Sequence, residues 1–289
     1  MTKEPPKILE GFTLLPEGRK RLEHFFAAHF DALRRSDADA QQELQSLLRE
    51  VLPLQSQERL KEIFSGTSDS ALLIHGLPER KGLEKWAAEP KPQDTYSYFI
   101  GNAIHAMNGA VPKKTDLLVR HATDSISVIG GFLHRDYPYE TPYVVFSSPY
   151  NGENAFIGVT NLEKAISSIP ESDREKTIVK VSGYSGPDVK KNLNELLVQI
   201  REPAMHGIVT RISMFNVSDP AEMKLRRSLV EAVDRHSVKV NLQPGDLLFM
   251  DEDHMFHRAY RGDASAIPPR NFVSRILVRN AAAHDTQER

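Results

Sequence analysis

The chain has 289 residues, 40% hydrophobic and 26% charged, with Lys+Arg 37 against Asp+Glu 39 and a formal net charge of -2. A chain of this length buries roughly 75% of its unfolded surface, and an ordinary apolar fraction with so small a net charge excludes disorder over most of it. The balance leaves no basic surplus to hold nucleic acid by bulk charge, and the absence of cysteine excludes disulfides, thiolate zinc sites, iron–sulfur clusters and a cysteine nucleophile.

Met1 to Glu10 is polar and proline-containing, without the apolar core of a signal peptide. No apolar run approaches the ~18 residues that span a bilayer, so a soluble, cytoplasmic protein without a membrane or nucleic-acid partner is expected. Leu22, Phe25, Phe26, His29, Phe30 and Leu33 recur at the three-and-four spacing of one helix face. Leu44, Leu47, Leu48 and Val51 repeat it before Pro53, where a helix has to have ended. A third helix is expected over Gln57 to Phe64. Ala71 to Ile74 is an apolar run closed by Gly76 and Pro78, which predicts a buried strand. Phe99, Ile100, Ala103, Ile104 and Met107 mark another helix, ended by Asn108-Gly109.

From about Asp116 the pattern turns to short β-rich runs. They cover Leu117–Arg120, Ser125–Leu133, Tyr143–Ser148, Ala155–Val159, Thr177–Ser182, Ile208–Phe215, Val238–Leu242, Leu247–Met250 and Asn271–Val278. Helices are expected near Val189–Ile200 and after Asp219-Pro220, an N-cap followed by proline at the first helical position. The latter carries Leu225, Leu229, Ala232 and Val233 on one face. No Gly-rich phosphate loop follows a strand, so a Rossmann or P-loop nucleotide site is unsupported. The expectation is a single α+β domain over 1–289: a jelly-roll core within 70–280, N-terminal and inserted helices, and loosely ordered tails at 1–6 and 281–289.

Two segments carry candidate chemistry. In Gly131 to Pro138, strand alternation projects His134 and Asp136 to one face and Arg135 to the other. An imidazole beside a carboxylate is half of a chelating site, although His-x-Asp triplets are common and say little alone. The second segment is a Pro244-Gly245-Asp246 turn, a buried Leu247 to Met250 strand, and then His254 and His257. These histidines are three apart and face opposite sides of a continuous strand; His257, between Phe256 and Arg258-Ala259, is the better ligand candidate. Two histidines and one carboxylate on one face of an octahedral ion are the signature of non-haem Fe(II) oxygenases, which leave the opposite positions open for ligands.

A co-substrate with a distal carboxylate calls for a cation, best a bidentate arginine. Arg270 and Arg275 lie 13 and 18 residues past His257, where an antiparallel return strand would bring them beside it. The competing reading makes both solvated strand-edge residues. Tyr137 to Tyr143 either walls a pocket or packs as a rigid loop. Arg120-His121 and His105 are further pocket candidates that ordinary packing explains equally well.

These segments together resemble the Fe(II)/2-oxoglutarate-dependent dioxygenases of the taurine dioxygenase and clavaminate synthase-like superfamily. Ala71 to Pro78 is similar to that family's early strand ending in Gly-Leu-Pro. Gly131 to Asp136 falls at its His-x-Asp pair, and Thr160 to Ile166 resembles the following helix start. Gly245 to Asp251 with His257-Arg258-Ala259 matches its distal-histidine block and is the most specific of the four. The resemblance implies His134, Asp136 and His257 as iron ligands and 2-oxoglutarate as co-substrate. It also implies an arginine about a dozen residues past the distal histidine, which Arg270 fits. A second arginine commonly follows four positions on; here the gap is five, so the two roles stay open between Arg270 and Arg275. Asn154 stands where the family has a threonine that assists 2-oxoglutarate.

The implied activity is hydroxylation, or desaturation, of an unactivated C–H bond in a small acidic or amino-acid-like substrate, using O₂. Asp136 argues against halogenation, because the related halogenases have a small residue there. The alternatives are an inactive jelly-roll binding module and a metal-dependent hydrolase. The oligomeric state is not readable.

Overall fold

The apolar stripe from Leu22 to Leu33 becomes the buried face of α1 (Pro16–Arg34), which begins on proline and hides Leu22, Phe25, Phe26 and Leu33. His29 stacks on Phe25, ring centroids 4.8 Å apart. The next helix, α2 (Ala38–Val51), is capped by Asp37, which accepts from the Ala40 N–H at 2.9 Å. It stops before Pro53, and α3 (Leu54–Phe64) begins at once, three residues earlier than the sequence suggests. The computed structural model describes residues 8–68, 70–81, 92–120, 143–147, 155–182, 218–251, 255–261 and 271–280.

The strands among the described residues are β1 (Leu9–Thr13), β2 (Ala71–His75), β3 (Ala110–Arg120), β4 (Tyr143–Ser147), β5 (Ala155–Asn161), β6 (Ser237–Val240), β7 (Leu247–Asp251), β8 (Met255–Arg261) and β9 (Asn271–Asn280). Six of them form a mixed sheet in the order β1-β2-β7-β4-β9-β3, and three form a second sheet, β6-β5-β8. Every pair is antiparallel except β1 with β2. A parallel pair needs a long crossover, and α1 to α3 supply it.

Alternation along β4 and β7 divides the core in two. Tyr143, Val145, Leu247 and Phe249 face a cluster built with α1 to α4 (Tyr96–Met107). Val144, Phe146, Leu248 and Met250 face the opposite way and pack with Ile157, Val159, Val240 and Met255 of the smaller sheet. The layers are therefore helices, large sheet, small sheet. The mixed sheet and its helices agree with the α+β expectation. Among the described residues no helix is long and apolar enough to cross a membrane.

The start of α4 is held from both sides. Thr95 caps it through the Tyr98 N–H at 3.2 Å. Glu79 accepts from the Tyr96 and Ser97 N–H groups at 2.7 and 3.2 Å and from the Ser97 hydroxyl. Burial lifts the Glu79 carboxyl above its ordinary range, although these hydrogen bonds oppose the shift.

Among the described residues the second half carries three further helices: α5 (Leu162–Ser167), α6 (Glu171–Ser182) and α7 (Pro220–Arg235). Helix α7 has the expected cap, Asp219 accepting from Ala221 and Glu222 N–H, and buries Leu225, Leu229, Ala232 and Val233 as read from the sequence. The strand expected at Thr177–Ser182 is instead the end of α6. Its β-branched run is overruled by what precedes it: the Asp173 and Arg174 N–H groups bond the Pro170 carbonyl, which starts the helix. The Thr177 hydroxyl then bonds back to the Asp173 carbonyl at 2.8 Å, an option threonine has inside a helix. Asp173 also pairs with Lys224 of α7 at 3.2 Å, tying the two helices together. Strand β1 was not anticipated at all. The strands read at Ser125–Leu133 and Ile208–Phe215, the helix near Val189–Ile200, and the tails 1–6 and 281–289 lie outside the described residues.

Candidate functional site

The turn before β7 is fixed by a close backbone approach. Gly245 has φ +90°, and a Cβ there would lie 2.0 Å from the Leu77 carbonyl oxygen. Only glycine tolerates both the dihedral and the contact. The Leu77 N–H donates to the Gly245 carbonyl at 3.0 Å. Asp246, buried, accepts from the Gln243 N–H at 3.0 Å and sits 3.1 Å from His75 Nδ1. The early Gly76-Leu77-Pro78 segment and the Gly245-Asp246 turn, far apart in sequence, are thus one structural unit that sets where β7 and then β8 run.

Strand β8 delivers His257 into the space between the two sheets. It pairs with β5, placing His257 opposite Val159 and Met255 opposite Asn161. Met255 and Val159 are fully buried in the inter-sheet cluster, and the two-residue period puts His257 on their face. His257 is 5% exposed. The Phe146 ring, from β4 of the large sheet, lies against its imidazole with centroids 4.7 Å apart and planes tilted by 59°.

Arg275 is on β9, which pairs with β3 and β4 in the large sheet. The expected return strand beside His257 is therefore not formed: β9 is hydrogen-bonded to the opposite layer from β8. The chain changes sheets between Arg261 and Asn271, so β8 and β9 belong to different layers. The register places position 275 opposite Phe146. Directly opposed residues share a face, so position 275 belongs to the face that carries Phe146 and meets His257. His134, Asp136, Asn154, His254 and Arg270 lie outside the described residues. Among the described residues no three His, Asp or Glu side chains gather as a metal-holding group. By donor type and burial, His257 fits a divalent first-row ion.

Two pocket candidates fall elsewhere. His105 of α4 is fully buried, but on the helix side of the large sheet, edge-on to Phe64 and Phe249 at 5.1 and 6.1 Å. Among the described residues neither of its ring nitrogens has a hydrogen-bond partner, and burial pulls its pKa down to about 3. Tyr143 also faces the helices, donating its hydroxyl to the Phe64 carbonyl at 2.8 Å. The contact of Phe146 with His257 had no signal in the sequence beyond the alternation of β4, because it depends on how two sheets stack.

The fold is similar to those of solved non-heme iron oxygenases. Asparagine oxygenase is 12% identical, with 93% of each chain covered and a TM-score of 0.62. Its complex with Fe(II), 2S,3S-3-hydroxyasparagine and succinate is matched at 11% identity, 93% of each chain and a TM-score of 0.59. The oxygenase OrfP, in complex with Fe, succinate and (3S)-hydroxy-L-Arg, is 14% identical over 97% of each chain with a TM-score of 0.59. No protein-family model and no curated protein matches the sequence.

Proposed function

We propose that this chain is an Fe(II)/2-oxoglutarate-dependent oxygenase, built on a double-stranded β-helix core as one domain, that hydroxylates a small amino-acid-like substrate. The observation that carries the reading is His257: the histidine singled out from the distal block is buried between the two sheets, against the Phe146 ring of the large sheet. The fold likeness over 93 to 97% of the chain supports it, as do the hydroxylated arginine and asparagine held by the two similar oxygenases.

In this reading His134, Asp136 and His257 would hold the iron. When bound, the metal and 2-oxoglutarate together supply the oxidising power, consuming O₂ and releasing succinate and CO₂. The protein supplies placement and dryness. Arg270 and Arg275 supply the cations for the distal carboxylate of the co-substrate and the acid group of the substrate, and Asn154, just before β5, assists the former. The apolar seam of Val144, Ile157, Val159 and Met250 keeps bulk water from the inner end of the site.

The test uses apo-protein under anaerobic conditions. Fe(II) and 2-oxoglutarate added together are expected to give a weak visible charge-transfer band that His257→Ala abolishes. No band, or one that survives the substitution, overturns the proposal. Succinate release across a panel of free amino acids then identifies the substrate.

A further inference from the structure

We infer that Phe146 is a positioning residue for the His257 imidazole, holding its ring plane; this rests on the metal centre proposed above. Phe146 is 4% exposed and projects from the middle of the large sheet into the inter-sheet seam. It is flanked in register by Leu248 of β7 on one side and position 275 of β9 on the other. Its ring contacts the imidazole at 4.7 Å and 59°. Aromatic pairs at this separation and tilt have a preferred geometry worth more than the area they bury.

The consequence follows from how an imidazole is held. Strand pairing fixes the His257 backbone, and burial limits its first side-chain torsion, but rotation about Cβ–Cγ is broad for a planar ring. A flat neighbour on one side removes that freedom; a round aliphatic neighbour of similar bulk does not. Partners that orient a ligating histidine matter to metal affinity almost as much as the ligand itself. Here a ring from the opposing sheet lies against the imidazole.

The test is anaerobic Co(II) titration of apo-protein, followed by the visible ligand-field band, for wild type, Phe146→Leu, Phe146→Met and His257→Ala. Melting temperatures are measured alongside. Leu and Met keep most of the bulk, so both variants are expected to stay folded. They are expected to bind Co(II) about tenfold more weakly with a shifted band, and to raise KM for 2-oxoglutarate more than they lower kcat. A wild-type band lost in His257→Ala but unchanged in position and Kd in both Phe146 variants sinks the inference while leaving the metal centre standing. The absence of a saturable wild-type band, or one indifferent to His257→Ala, sinks the metal centre and this inference with it.

Discussion

His105 gives a stability prediction that follows from burial alone. Its side chain is fully buried against Phe64 and Phe249, both ring nitrogens lack hydrogen-bond partners among the described residues, and its pKa is held down to about 3. In the unfolded chain the same group titrates near 6.5. Between those values the unfolded state takes up a proton that the native state refuses, so stability is present above about pH 6.5 and falls as the pH falls. One proton corresponds to about 1.4 kcal/mol per pH unit, which makes the loss about 3 kcal/mol between pH 7.5 and pH 4.5. The perturbation is His105→Leu, which removes the titrating group and the two unsatisfied nitrogens together. Urea unfolding of both proteins, followed by far-ultraviolet circular dichroism, gives the difference in stability at each pH. Packing changes contribute equally at both, so the change in that difference isolates the proton. The variant is expected to gain about 3 kcal/mol on wild type when the pH is lowered to 4.5. A gap that stays constant between the two pH values would refute the argument, because it would mean that the buried ring titrates as it does in water.

Two other outcomes follow from the backbone. Gly245→Ala forces a side chain into a positive φ and against the Leu77 carbonyl; a loss of about 3 kcal/mol or more is expected, seen as a fall in melting temperature of about 6–12 °C. An unchanged melting temperature would mean that the turn can re-form without the Leu77 contact. Asp219→Ala removes the acceptor for the Ala221 and Glu222 N–H groups at the start of α7 and is expected to cost about 1 kcal/mol. Asp219→Asn, which retains an acceptor, is expected to recover most of that in the same urea titration.

The parts of the fold that could be read in the sequence are those where a local signal and the tertiary structure agree. Helix α7 is the clearest case: the Asp219-Pro220 start and the Leu225, Leu229, Ala232 and Val233 face are both as expected. Strands β4 and β7 were legible because both faces are buried and the runs are uniformly apolar. Strand β1 gave no signal, since Leu9-Glu10-Gly11-Phe12-Thr13 is mixed in character and is held as an edge by β2, some sixty residues away. Thr177–Ser182 misled because a β-branched run is only a weak preference, and Pro170 with α7 decides the outcome. In the proposed site, the turn and the strand that carry His257 were legible. The crossing of the chain to the other sheet before β9 was not, since nothing between Arg261 and Asn271 states which layer the next strand joins.

That crossing divides labour between two plates. One plate carries the imidazole at position 257, the other carries position 275, and among the described residues greasy side chains such as Val159 and Phe146 fill the gap. The gap acts as a calliper: its opening depends on hydrocarbon volume, so trimming a methyl group far from any ligand would alter grip before it altered folding.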